Sequence, residues 1–431
     1  MKKLIISVHP NEGAMRAPNP HVPWTADEIA RDAAAARDAG AAMMHFHART
    51  TDGGADHSTD GYARTIRAIR ERTDLLLAPS LANAPGATIT ERLANIVDNA
   101  HDPMTRADFL SVDVGCANLD RYDWQGHEFR STDRVFVNDV GSVARVLRTA
   151  RELAMKPLLA SFNISWTRSI EALLDAGEIE EPAFVLLVLG GPEFVAAHPG
   201  TTAGLDAHLG FLPAGKQIEW AVSVHAGNVL DVATAAIERG GHVAIGLGDY
   251  PHLELGAPTN PELVALIRDM ARERGRAVAT PAEAAEMLGM PPARPRLVIG
   301  HGRQQVAVMD SVSYASRADA GRVIVTGSHG GASAGEYARR FTVSCLVAND
   351  AGFGKNNAGI RGLEEIDADA IAGVAVGHES ARIGDGTDVW EHGVITFVND
   401  TARRQGYTVG ARVQNEIRRI TVDGTQEAAE C

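Results

Sequence analysis

The sequence predicts a (β/α)8 TIM barrel followed by a smaller α/β domain, and three observations carry that reading. Short β-rich runs alternate with longer stretches of helical period from residue 1 to about 290. Eight such runs suit a barrel, for which ~250 residues is typical. The rival, a doubly wound open sheet, usually places a Gly-rich phosphate loop after its first strand, and "HPNEGAMR" is not one. Finally, 431 residues exceed what one hydrophobic core organises, so a second domain is expected.

The predicted barrel strands are 4–9 "LIISVH", 42–48 "AMMHFHA", 75–81 "LLLAPSL" and 108–114 "DFLSVDV". They continue with 157–163 "PLLASFN", 184–190 "FVLLVLG", 219–225 "EWAVSVH" and 242–247 "HVAIGL". Between them lie helices such as 25–38, 60–73, 142–154, 229–239 and 261–274. The first opens on Thr25 with Glu28 three residues on, the pattern of a capping box. Prolines cluster at 288–300, "LGMPPARPRLVIG", and set the boundary between a domain at 1–290 and another at 296–431. The second should hold strands near 305–310, 322–326, 343–348 and 371–376, with Gly-rich turns between them.

Composition narrows the function. A net charge of −14 argues against nucleic acid or an anionic membrane surface as partner, though not against a small anion held in a local field. No run approaches the ~20 apolar residues needed to span a bilayer. Three scattered cysteines without CxxC spacing fit a reducing compartment, and the expected location is cytoplasmic.

The chemistry concentrates in "MMHFHART", residues 43–50. Side chains two apart on a strand share a face, so His45, His47 and Arg49 point one way with Met43, while Met44 and Phe46 point the other. Inward residues at the C-terminal ends of barrel strands meet at the mouth, where active sites of this fold lie. Two imidazoles held there are good ligands for zinc or another divalent transition metal, although paired strand histidines also occur as plain structural hydrogen-bonders. A catalytic zinc needs a third protein ligand. Glu12, His225 and Asp249 are the candidates, with His9 and His242 weaker because His242 begins its strand.

"HFHART" followed by "DGG", "GGHVAIGLGD" at 240–249, "SVDVGCANLD" at 111–120, "VFVND" at 135–139 and "FVLLVLGG" at 184–191 together resemble the β-keto acid cleavage enzymes. That family's type activity is 3-keto-5-aminohexanoate cleavage. The resemblance runs from residue 1 to about 290 and implies a zinc held by the two histidines and a strand-eight glutamate. It also implies retro-Claisen cleavage of a β-keto carboxylate with acetyl-CoA, and a homo-oligomer.

Three positions depart from the family pattern. Gly248 stands where the ligating glutamate is expected, though Asp249 is kept. Strand seven offers His225 and Gly227 in place of a catalytic Gly-x-Gly-Arg run, and strand five has Ala160 and Asn163 in place of acidic residues. A compensating ligand is therefore expected, His225 first and Asp249 second. Asp249 or Glu12 would serve as general base if burial tunes it. Arg49 would pair bidentately with a substrate carboxylate, or else form an ion pair at the barrel rim. Ser80, Cys116 and Asn118 are candidate substrate contacts.

Three Gly-rich loops end consecutive strands of the second domain, the edge at which open α/β sheets bind ligands. They place His329, Asp350, Lys355, Arg382 and Asp385 as a candidate second ligand site. The leading function is metal-dependent C–C cleavage of a small β-keto carboxylate, with acetyl-CoA as candidate co-substrate. A metal-dependent hydrolase or lyase acting without CoA on a small carbonyl or amide compound is the first alternative, and a non-catalytic binding protein the second.

Overall fold

The computed structural model describes residues 2–81, 86–100, 102, 104–290, 296–299, 305–315 and 319–423. The chain divides into two compact units, Met1–Ala293 and Arg294–Cys431.

The first unit is a parallel eight-stranded barrel, with strands β1 (Ile6–Val8), β2 (Met43–Phe46), β3 (Leu76–Pro79), β4 (Phe109–Asp113), β5 (Lys156–Ser161), β6 (Ala183–Gly190), β7 (Ile218–His225) and β8 (His242–Ile245). Ladders run in the order β3-β2-β1-β8-β7-β6-β5-β4. Between β3 and β4 a looser seam replaces the ladder. Asp108 N donates to Leu77 O at 3.0 Å, the Asp108 carboxylate accepts from Leu77 N at 2.7 Å, and Ser111 Oγ donates to Pro79 O at 3.3 Å. All eight predicted strands are present.

Alternation along each strand builds the interior. Ile5, Met43, Leu76, Phe109 and Ala221 fill the bottom of the barrel and pack on Ala284 and Leu288, at α9 (Pro281–Met287). Two residues further along come Ser7, His45, Ala78, Ser111 and Ser223, and two beyond those His9, His47, Ser80, Asp113 and His225. Each inward row thus runs from apolar to polar toward the C-terminal end of its strand. The floor is a dry core and the mouth carries the chemistry, as this architecture requires. Met44 and Phe46 pack in the outer layer under α1 (Ala26–Ala39) and α2 (Thr59–Arg70). Thr25 and Glu28 form the expected capping box. The helix expected from 142 starts earlier, at Val140, because Asp139 caps it by accepting from Ser142 N.

The second unit is a six-stranded sheet of β9 (Arg296–Ile299), β10 (Val306–Met309), β11 (Val323–His329), β12 (Cys345–Asn349), β13 (Ala372–Val376) and β14 (Ile395–Val398), paired in that order. The central four are parallel and are those the sequence predicts. The two edge strands are antiparallel and were not expected, because neither belongs to a βα repeat. Among the described residues no helix is long and apolar enough to cross a membrane.

Candidate active site

A cavity of about 750 Å³ opens at the mouth of the barrel, lined by His9, Glu12, His45, His47, Ser80, Asp113, His225 and Asp249, among others. Each polar group comes from a strand end or the turn just after it. Asn11 couples the first two ends, accepting from His47 N at 3.1 Å and donating back to His47 O at 2.9 Å. Asn260, capping the last barrel turn, accepts from Leu247 N at 2.8 Å and donates to Pro10 O and the Asp32 carboxylate.

The tightest grouping is His9, Glu12 and Asp249, whose candidate ligand atoms all lie within 4.8 Å of one another. His9 Nδ1 is 3.0 Å from Asp249 Oδ2 and 3.5 Å from Glu12 Oε1. Burial pulls the His9 pKa down, but Asp249 and Glu12 outweigh it and push the group up to about 9. His225 Nδ1 lies 3.9 Å from both Glu12 Oε2 and Asp249 Oδ1, and its ring packs edge-on against Phe194. The His45 ring is 5.3 Å from that of His9 and 5.5 Å from that of His47, centroid to centroid.

His45 Nδ1 donates to Ala78 O at 2.7 Å, which leaves Nε2 with its lone pair free. A backbone carbonyl fixing the far nitrogen is the usual support of a metal-ligating histidine. Burial, and then the charges of His9 and His47, press His45 down to about 3. Burial likewise holds His47 near 4 against the pull of Glu12. Both rings are therefore neutral at neutral pH, the form that binds metals. Glu12 has its carboxylate held below the ordinary range: burial opposes, but hydrogen bonding and charge from His9, then His45 and His225, prevail. Asp249 moves the other way, raised by burial and by the Glu12 charge. Asp113 is raised to about 6 by burial despite the opposing charge of Arg92. Environments that push carboxyl groups apart in this way divide acid, base and ligand roles among them.

The described group whose ligand atoms lie close enough for one divalent cation is therefore His9, Glu12 and Asp249, while His45, His47 and His225 line the same cavity. Gly248 fits the same picture. A Cβ built there would lie 2.9 Å from Glu12 Cγ and 3.0 Å from both Glu12 N and His9 O. The room that glycine leaves is taken by the Glu12 side chain.

Residues 3–290 match the family model of the beta-keto acid cleavage enzymes. The chain belongs to that family. It is 32% identical over 275 residues to the 3-keto-5-aminohexanoate cleavage enzyme of Acetoanaerobium sticklandii, covering 63% of this chain and 92% of that one. The counterpart in Fusobacterium nucleatum is 30% identical, with the same coverage. The 3,5-dioxohexanoate:acetyl-CoA acetone transferase of Paraburkholderia graminis is 28% identical over 306 residues, covering 67% and 96%. The matched residues of the family model fall within the first unit, and the motifs that resemble the family in the sequence are those of a member.

Several expected site residues stand elsewhere. Arg49 is buried outside the cavity lining, and its guanidinium donates to the carbonyls of Asn11, Glu12, Ala14 and Gly53, so it carries no free face for a carboxylate. Cys116 and Asn118 are exposed and do not line the cavity, because they fall on the other face of the short antiparallel ribbon, Ala117–Asn118 against Val135–Phe136, from Leu119 and Phe136, which do. Ser80 does line it, its Oγ donating to Leu81 O at 3.2 Å. Asp113, Ser111 and Ser223 were missed, although their inward register on β4 and β7 is readable from the alternation.

In the second unit the five candidates do not converge. His329 lines a cavity of about 360 Å³, and its Nδ1 accepts from Gly331 N. Asp350 is buried beneath His378 and Thr396, Lys355 is exposed in a turn, Arg382 bonds Asp388, and Asp385 caps a helix by accepting from Asp388 N. Asp350, Arg382 and Asp385 thus serve turns and caps.

The Asp32 support makes a pH-dependent contribution. Burial raises its pKa to about 7, against the Asn260 hydrogen bond. An acid raised above its unfolded value near 3.8 retains in the folded state a proton that the unfolded chain releases, so stability falls as pH rises through the window from about 4 to 7. In Asp32→Asn that slope is expected to vanish. Its melting temperature should exceed wild type by several degrees at pH 8, with a much smaller gap at pH 5; equal gaps at both would refute the assignment.

Proposed function

We propose that the first unit cleaves a β-keto carboxylate by a retro-Claisen exchange with acetyl-CoA, dependent on a divalent metal. Zinc is the ion that a set of two imidazoles and one carboxylate suits best. The observation that carries this reading is the convergence of neutral His45 and His47 with Glu12 on a cavity that also holds a raised carboxyl, Asp249.

Glu12 is the third donor in this reading, in place of His225. Its charge acts on His45 and His47 as well as on His9, whereas the groups that act on Asp249 are Glu12, His9 and His225. When bound, the ion supplies Lewis-acid polarisation of the keto carbonyl. Asp249, its carboxylate made more basic by burial and the Glu12 charge and oriented by His9, takes a proton from the carbon between the keto and carboxylate groups. That carbon then takes the acetyl group as its bond to the CoA sulfur breaks, and the freed CoA thiolate joins the keto carbon as the bond between the two substrate carbons breaks. The products are acetoacetate, to which Asp249 returns the proton, and the CoA thioester of the shortened acid.

The test is to incubate the full chain with Zn²⁺ and a panel of β-keto acids, with and without acetyl-CoA, and to detect products by mass spectrometry. Acetoacetate and a new thioester, formed only with acetyl-CoA, are expected. Cleavage without it would establish the hydrolytic alternative, and no turnover of any substrate would favour a binding protein.

A further inference from the structure

The ribbon after β4 brings two arginines to the cavity that nothing in the catalytic cluster uses. Backbone pairing joins Ala117 to Phe136 and Asn118 to Val135, continues with Leu119 N donating to Arg134 O at 2.7 Å, and resumes where Arg130 N donates to Arg121 O at 2.9 Å. Side chains alternate along such a ribbon, and Leu119, Arg121, Arg134 and Phe136 all line the cavity, so one face of the ribbon forms part of its wall.

The Arg121 and Arg134 guanidinium groups make no hydrogen bond or ion pair among the described residues. Their neighbour shows the contrast: Arg130, on the same excursion, pairs with Glu193 at 2.7 Å. Asp120, on the same ribbon, is already committed, accepting from Ser131 Oγ at 2.6 Å and Arg134 N at 3.2 Å, and the Arg134 charge only adds to what holds it low. Two unpaired guanidinium groups on the wall of one cavity, in a chain of net charge −14, form a local positive site against a negative background. Their forked donors match the oxygens of a carboxylate or phosphate.

Strands β5 and β6 lie between β4, which leads into the ribbon, and β7, which carries His225. Leu158, Phe162, Leu186 and Val188 supply apolar wall from the strands between. A volume of about 750 Å³ is in the range that holds a drug-sized ligand, well beyond a short keto acid.

We propose that Arg121 and Arg134 form an anion subsite that binds a carboxylate or phosphate group remote from the reacting carbonyl. Two sources share that chemistry: a second carboxylate on the substrate acid, and the phosphates of the CoA moiety. The inference rests on the proposed cleavage reaction for the identity of the ligand, but not for the existence of the subsite.

The experiment compares the full-length wild type with Arg121→Met, Arg134→Met, the double variant, and Arg130→Met as control. Calorimetric binding of inorganic pyrophosphate and of glutarate reads the subsite without turnover. Kinetics then use a β-keto dicarboxylate, a β-keto acid of equal length with a neutral end, and acetyl-CoA. The double variant is expected to weaken binding of at least one probe roughly tenfold or more, while Arg130→Met leaves it unchanged. A rise in KM confined to the keto dicarboxylate, with kcat kept, assigns the subsite to the substrate carboxylate; a rise confined to acetyl-CoA assigns it to CoA phosphate. If no β-keto acid is turned over, the cleavage reading fails, yet loss of probe binding would still establish the subsite. Probe binding that is absent in wild type, or equal in wild type and double variant, overturns it.

Discussion

Glu12→Ala is expected to abolish stoichiometric binding of the divalent metal and to lower turnover by roughly 10³-fold. A Lewis acid contributes several kcal/mol to stabilising developing charge, and each ~1.4 kcal/mol is a factor of ten in rate. Glu12 stands on the turn after β1 with its backbone at φ +29°, a conformation that residues other than glycine seldom adopt. Its carboxylate lies between His9 and His225, at 3.5 Å and 3.9 Å. A second substitution tests the same assignment without removing a polar atom. In Gly248→Ala the new methyl would meet Glu12 Cγ at 2.9 Å and backbone atoms at 3.0 Å, so the carboxylate must move. A displacement near 1 Å at a catalytic group costs about 10²-fold, and Gly248→Ala should lose that much turnover together with metal affinity. Elemental mass spectrometry of the purified chains checks both. Metal retained in Glu12→Ala but lost in His225→Ala would move the third donor to strand seven.

Why Glu12 was only one candidate among several in the sequence is a matter of geometry. HxH is legible because a strand has period two, and the histidines must share the face opposite Phe46. A turn residue has no such period. The signal that identifies Glu12 is an absence, the missing Cβ at position 248, which lies more than 230 positions away in the chain and becomes meaningful only when β1 and β8 pair. The barrel itself was readable throughout, since five of its strands (β1, β2, β3, β4 and β7) carry an apolar-to-polar inward row and every predicted strand is present. Arg121 and Arg134 were not readable: "NLDRYDWQGHEFRSTDR" shows no period until the ribbon fixes which side chains face the cavity. In the second unit the Gly-rich loops suggested a convergence of charged groups. Side chains of Asp, Arg and Lys in such loops are equally suited to cap helices and brace turns, and Asp385, accepting from Asp388 N, and Arg382, donating through Nε to the Asp388 carboxylate, do so.

Arg49 carries the second large effect, and its mechanism differs from the one its place in "HFHART" suggests. Its side chain is buried and donates to Asn11 O at 3.2 Å, Glu12 O at 2.5 Å, Ala14 O at 3.1 Å and, through Nε, Gly53 O at 3.0 Å. One guanidinium therefore ties the turn that carries Glu12 to the loop after β2. Removing it leaves several buried carbonyls unsatisfied, each costing about 1–3 kcal/mol. Partial relaxation toward water reduces the sum, and Arg49→Met should destabilise the protein by roughly 3–5 kcal/mol. Arg49→Lys should recover only a minor part, because one ammonium cannot span carbonyls that a planar fork reaches in four directions. The same loosening frees Glu12, so metal affinity is expected to fall although Arg49 does not line the cavity. A substrate-binding arginine would behave otherwise: KM would rise steeply while melting temperature and metal content stayed at wild-type values. Measuring melting temperature, metal stoichiometry and KM on the same two variants separates the roles, and the hydrogen-bond pattern requires the first two to fall together.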